Sequence, residues 1–161
     1  MNNKCQKKVF KKDLPVFEEK VSTIVNQLLK RLDLDLNIQV APMTQYEYTK
    51  KFPTARMTMV RSDRGLEDKP TFYLQFNPAM LKNDNITQAD LKRDIFHELL
   101  HALTWSFIDE QDAIIEHIKG NASLKKELKK RTHQVREGVV YILERKLGPF
   151  ILHECDWTRD S

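Results

Sequence analysis

Apolar residues between Pro15 and Leu32 recur every three or four positions: Val16, Phe17, Val21, Ile24, Val25, Leu28, Leu29 and Leu32. That period puts them on one stripe of a helix, and it predicts an α-helix over 15–32. Pro15 suits the first turn, where a missing N–H costs no intrahelical bond. The period then changes. Residues 33–40, DLDLNIQV, alternate polar and apolar, the signature of a half-buried strand. Residues 57–60 read as a second strand. Residues 71–77 read as a third by their aromatic content, stopped by Asn77-Pro78. Residues 43–56 suit a short helix, and 61–70 form a charged loop around Gly65.

Helical spacing returns at Thr87. Asp90 follows three residues on, a variant of the capping box. The apolar set Leu91, Ile95, Phe96, Leu99, Leu100, Ala102, Leu103 and Phe107 is broad enough to predict a deeply buried helix. A shorter helix is expected over 111–118, closed by Gly120. A last long one is expected from Asn121 to Leu147, stopped by Gly148-Pro149. Strands grouped beside helices predict an α+β fold. Its parts are an N-terminal helix, a short, mostly antiparallel three-stranded sheet, and the helix that Thr87 opens packed on the last long helix, which carries Glu137.

Composition narrows this picture without redirecting it. The chain has 161 residues, 31% of them charged and 40% hydrophobic, with a formal net charge of +4. One domain over 15–150 is expected, between a basic flexible tail at 1–14 and a C-terminal tail at 151–161. The basic tail gives weak support to a nucleic-acid partner. Cys5 and Cys155 sit at opposite ends and make no disulfide scaffold. No apolar segment follows the basic start, and no run approaches a membrane span. The expectation is a cytoplasmic protein with no membrane partner.

The candidate chemistry lies in the helix that Thr87 opens. It contains His97-Glu98-Leu99-Leu100-His101, the pattern H-E-x-x-H. Residues four apart share one helix face, so His97 and His101 can direct two imidazoles at one ion. Two neutral nitrogen ligands suit zinc. Glu98 sits about 100° around the helix from His97, where its carboxylate can accept a proton from zinc-bound water.

Catalytic zinc takes a third protein ligand and keeps one position open. The extended metzincin pattern needs a glycine and a third histidine after the motif. Thr104 and Phe107 occupy those places and exclude it. Glu137 is the first candidate, set among Val140, Leu143 and Leu147 near the core-facing stripe. His133, Glu144 and, last, His117 are the alternatives. Gly138 costs its helix about 1 kcal/mol relative to alanine, which a close approach to a backbone or a metal site would explain. Tyr141, one turn past Glu137, is a candidate oxyanion donor. Asp94, one turn before His97, is a candidate brace for an imidazole. If residues 71–77 form an exposed sheet edge, an extended peptide can add there as a strand. His153 and Cys155 could join Cys5 in a structural zinc site, though a loose tail is the simpler reading.

These residues resemble gluzincin-type zinc peptidases in their minimal one-domain form. The parts that carry the resemblance are the helix 15–32, strands near 36–41, 57–60 and 71–77, the His97–His101 motif, and Glu137-Gly138-Val139-Val140-Tyr141. The nearest likeness is to ImmA/IrrE-like and SprT-like small peptidases, often phage-encoded. The resemblance implies a zincin-like fold. It also implies His97 and His101 as zinc ligands, Glu98 as general base and Glu137 as third ligand. Two features depart from it: Tyr141 stands where an acidic residue would follow Glu137 by four, and a SprT-like third histidine is absent. The expected function is a zinc-dependent endopeptidase acting on a protein or peptide substrate. The alternative is a catalytically silent, peptidase-like binding or regulatory protein that contacts a protein or nucleic acid.

Overall fold

The structure is a computed structural model that describes residues 3–62, 71–82, 86–118 and 122–152, with main chain alone at 3–12, 82 and 106–109. The chain is α+β and divides into two units, Met1–Glu98 and Leu99–Ser161.

The first unit opens with α1, Asn3–Arg31. It starts at Asn3 and not at Pro15, so it takes in the Lys-rich stretch. Pro15 lies inside it and leaves one carbonyl four residues earlier without its usual N–H. The expected stripe is real: Val21, Ile24, Val25 and Leu28 are all buried. The helix ends in a Schellman arrangement. Leu34 N–H donates to Leu29 O at 2.9 Å and Asp33 N–H to Lys30 O at 3.2 Å. Asp33 takes the left-handed conformation this turn demands, with φ 53°. Asp33 and Leu34 therefore close a helix, and the alternating pattern becomes strand only at β1, Asn37–Pro42.

A π-helical turn, Glu47–Lys51, separates β1 from β2, Met57–Arg61. β3, Thr71–Phe76, follows, then a 3-10 turn over Pro78–Lys82. The sheet order is β1-β3-β2. β2 and β3 are antiparallel, whereas β1 and β3 are parallel, so the sheet is mixed and not mostly antiparallel. The reason is β3's place: it runs against β2, its neighbour in sequence, and in the direction of β1 on its other side. Phe72, Leu74 and Phe76 of β3 are buried, as are Met59 and Met57, which oppose Leu74 and Phe76. Phe17 of α1 meets Phe76 with ring centroids 5.0 Å apart. Because β3 is paired on both sides, strand addition at 71–77 is excluded.

α2, Gln88–Leu103, is one continuous helix that crosses from the first unit to the second. Its start is the expected capping box. Asp90 N–H donates to Thr87 Oγ1 at 3.1 Å, and Thr87 N–H donates to Asp90 Oδ2 at 3.2 Å. The second unit holds the end of α2, then α3, Trp105–His117, packed on α4, Ala122–Ile151. Among the described residues, Leu99, Leu100, Ala102, Ile115 and Val140 are its buried apolar residues. α4 runs past Gly148-Pro149, the expected stop. Gly148 is buried, and Leu152 N–H reaches back to Gly148 O at 2.8 Å. The tail around His153 and Cys155, the Cys5 side chain and Gly120 lie outside the described residues. Among the described residues, no helix is long and apolar enough to cross a membrane.

Candidate metal centre

α2 places the H-E-x-x-H residues as the spacing requires. His97, Glu98 and His101 each offer one ligand atom, and these atoms all lie within 4.8 Å of one another. His101 is buried, while His97 and Glu98 are half-buried. The helix is fixed by Leu91, Ile95, Phe96, Leu99 and Leu100, which are fully or almost fully buried. Leu99 and Leu100, between the two histidines, are themselves buried.

In the second unit, Nε2 of His101 stands 3.6 Å from Oε1 of Glu137 on α4. That is too long for a good hydrogen bond, which falls near 2.7–3.2 Å. It is close to the roughly 3.4 Å that separates two ligands of one tetrahedral zinc at bond lengths of about 2.0–2.1 Å. His101 and Glu137 are thus spaced as two ligands of one divalent ion would be, and an imidazole and a carboxylate are donors that zinc takes. Comparison with protein families, curated proteins and solved structures gives no match. The chemistry of the site therefore rests on these side chains alone.

Around Glu137 the alternatives separate. Nδ1 of His133 lies 3.8 Å from the same Oε1, on an imidazole that is largely exposed. Glu144 is half-buried, two turns beyond Glu137. His117 is tied into its own helix, its Nδ1 2.7 Å from Ala113 O. Tyr141 is 62% exposed, one turn past Glu137. Gly138 corrects an expectation. A Cβ built there meets nothing within 4 Å, so this glycine does not mark a close approach. Arg136 stacks on Trp105, 5.0 Å from the ring centroid, and anchors this stretch of α4 to the start of α3.

In the first unit, two contacts fix the N-terminal side of the motif. Asp94 accepts a hydrogen bond from Arg56 at 3.0 Å, so the carboxylate expected to brace an imidazole is engaged by a guanidinium. Its other oxygen is buried without a hydrogen-bond partner. Burial pushes the Asp94 carboxyl above its usual range, and Arg56 pulls it part of the way back. Glu98 accepts a hydrogen bond from the main-chain N–H of Met59 at 2.7 Å. Sequence reasoning missed that donor. A backbone amide carries no residue type, and only the fold brings β2 to α2. Arg56 carried no sequence signal either, because its partner lies on another element.

Proposed function

We propose that this chain is a zinc-dependent endopeptidase of zincin-like, gluzincin type, acting in the cytoplasm on a protein or peptide substrate. His97, His101 and Glu137 would hold the ion. The observation that supports this best is the clustering of His97, Glu98 and His101 on one buried helix, with Glu137 at ligand-like distance from His101.

Bound zinc supplies acidification of a water and polarisation of the substrate carbonyl. Glu98 takes the proton of the attacking water and returns it to the leaving nitrogen, while its hydrogen bond to Met59 fixes the carboxylate. Tyr141, exposed near Glu137, is the candidate donor to the oxyanion. The N-terminal capping box and buried stripe of α2 hold His97, Glu98 and His101 on a rigid element.

The test is cleavage of an unstructured protein substrate and a peptide library by zinc-loaded chain, wild type beside Glu98→Gln. Cleavage lost in Glu98→Gln, with zinc retained, supports the reading. Zinc binding with no cleavage of any substrate by the wild type favours the silent binding protein instead.

A further inference from the structure

Glu98 lies close enough to both histidines to be a metal ligand itself, since its carboxylate oxygen and one nitrogen of each imidazole fall within 4.8 Å of one another. Ligand and base are competing roles. A carboxylate on the ion occupies the position that a catalytic site keeps open for water. The structure holds a group that engages this carboxylate. The main-chain N–H of Met59 donates to Oε2 of Glu98 at 2.7 Å, a short, charge-assisted bond of the stronger kind.

The sheet explains why that N–H is available. Arg56 O accepts from Asn77 N–H, and Ser62 N–H donates to Thr71 O, each at 2.8 Å. The residues of even number along β2 therefore turn their main chain toward β3. By the alternation of an antiparallel pair, Met57, Met59 and Arg61 turn theirs to the outer edge. Among the described residues β2 is an edge strand, so the outward N–H of Met59 has no sheet partner there. The Met59 side chain is buried opposite Leu74 and holds the donor in place.

We propose that the Met59 N–H is a positioning group that keeps Glu98 out of the metal's ligand set and so preserves it as a base. The inference rests on the metal reading above. It concerns the main chain of residue 59, so any side chain that fills the same buried space serves.

Met59→Pro deletes the N–H while leaving the pairing with β3 intact, and proline is accepted on edge strands. Met59→Leu keeps the N–H and nearly the same volume. The readouts are zinc affinity by competition with a chromophoric chelator and the visible spectrum of the cobalt(II)-loaded full chain. In Met59→Pro, Glu98 is expected to join the ion: zinc binds about tenfold more tightly, a change on the scale that groups around a ligand impose. Cobalt absorption weakens as the coordination number rises. Adding Glu98→Gln to Met59→Pro returns both readouts to wild type, and Met59→Leu matches wild type throughout. An amide-to-ester replacement at residue 59 deletes the same N–H without a proline ring and gives the same result. Unchanged or weaker zinc binding with a wild-type cobalt spectrum, in a folded Met59→Pro or in the ester, overturns the proposal and leaves the metal reading standing. Failure of the wild type to take up zinc or cobalt overturns the metal reading, and this inference with it.

Discussion

His101 is 7% exposed at its side chain, and its Nε2 stands 3.6 Å from Oε1 of Glu137, which is 43% exposed. The imidazole is delivered by α2 and the carboxylate by α4, so neither element makes the pair alone. At that separation the two groups could serve one ion as ligands, which is what the proposed zinc site requires. Around that pair the behaviour of several variants can be stated in advance.

Glu98→Gln should lower peptide cleavage by about a hundredfold or more, the usual worth of a positioned base. The amide cannot take a proton from water. Zinc content should stay at the wild-type level, because the ligands are untouched. A variant that still cleaves at the wild-type rate would remove Glu98 from the role of base.

Arg56 and Asp94 set a pH dependence with a definite sign. Burial holds the Asp94 carboxyl above its usual range in the native state. The folded chain thus binds that proton more tightly than the unfolded chain does. Its contribution to stability is complete below the unfolded value and is lost as pH rises through the native one. Arg56→Ala removes the guanidinium that offsets the buried charge. The cost at neutral pH should be about 1–2 kcal/mol, discounted because Arg56 is half exposed. Urea unfolding should show a smaller cost in acid, and an equal cost at both pH values would contradict this account.

Gly138→Ala should stabilise the protein by about 0.5–1 kcal/mol, since the added methyl meets open space in a helix interior. Zinc affinity should not change. Thermal unfolding and chelator competition read the two effects separately. A loss of stability would mean that the glycine serves a contact there.

Asp33→Gly should also stabilise, by about 0.5–1 kcal/mol. Aspartate pays a steric cost at φ 53° that glycine does not. The Schellman bonds at the end of α1 are main-chain bonds and survive the change. Circular dichroism should show the same helix content at a raised melting temperature.

The legible parts of this chain were those fixed by near neighbours. The stripe of α1, the Thr87–Asp90 box and the joint presentation of His97 and His101 all follow from spacing within one helix. Helix ends were less legible. Pro15 and Gly148-Pro149 read as boundaries because each costs a hydrogen bond, yet α1 and α4 run through them. Asp33 and Leu34 fit a strand pattern but serve a helix cap, since a two-residue polar–apolar step is common to both. Strand order was beyond local pattern altogether. Phe72, Leu74 and Phe76 alternate whether β3 is central or at an edge, and only pairing with both β1 and β2 decides it. Met59 was invisible for a different reason: its contribution to Glu98 is an amide that every residue but proline has.

The most direct test of the central claim is metal content by plasma mass spectrometry. The protein is purified without chelator or metal-binding tag, as wild type, His101→Ala and Glu137→Ala. About one zinc per chain is expected in the wild type, with affinity reduced by about tenfold or more in each variant. No metal in the wild type, and none taken up when zinc is added, would contradict it.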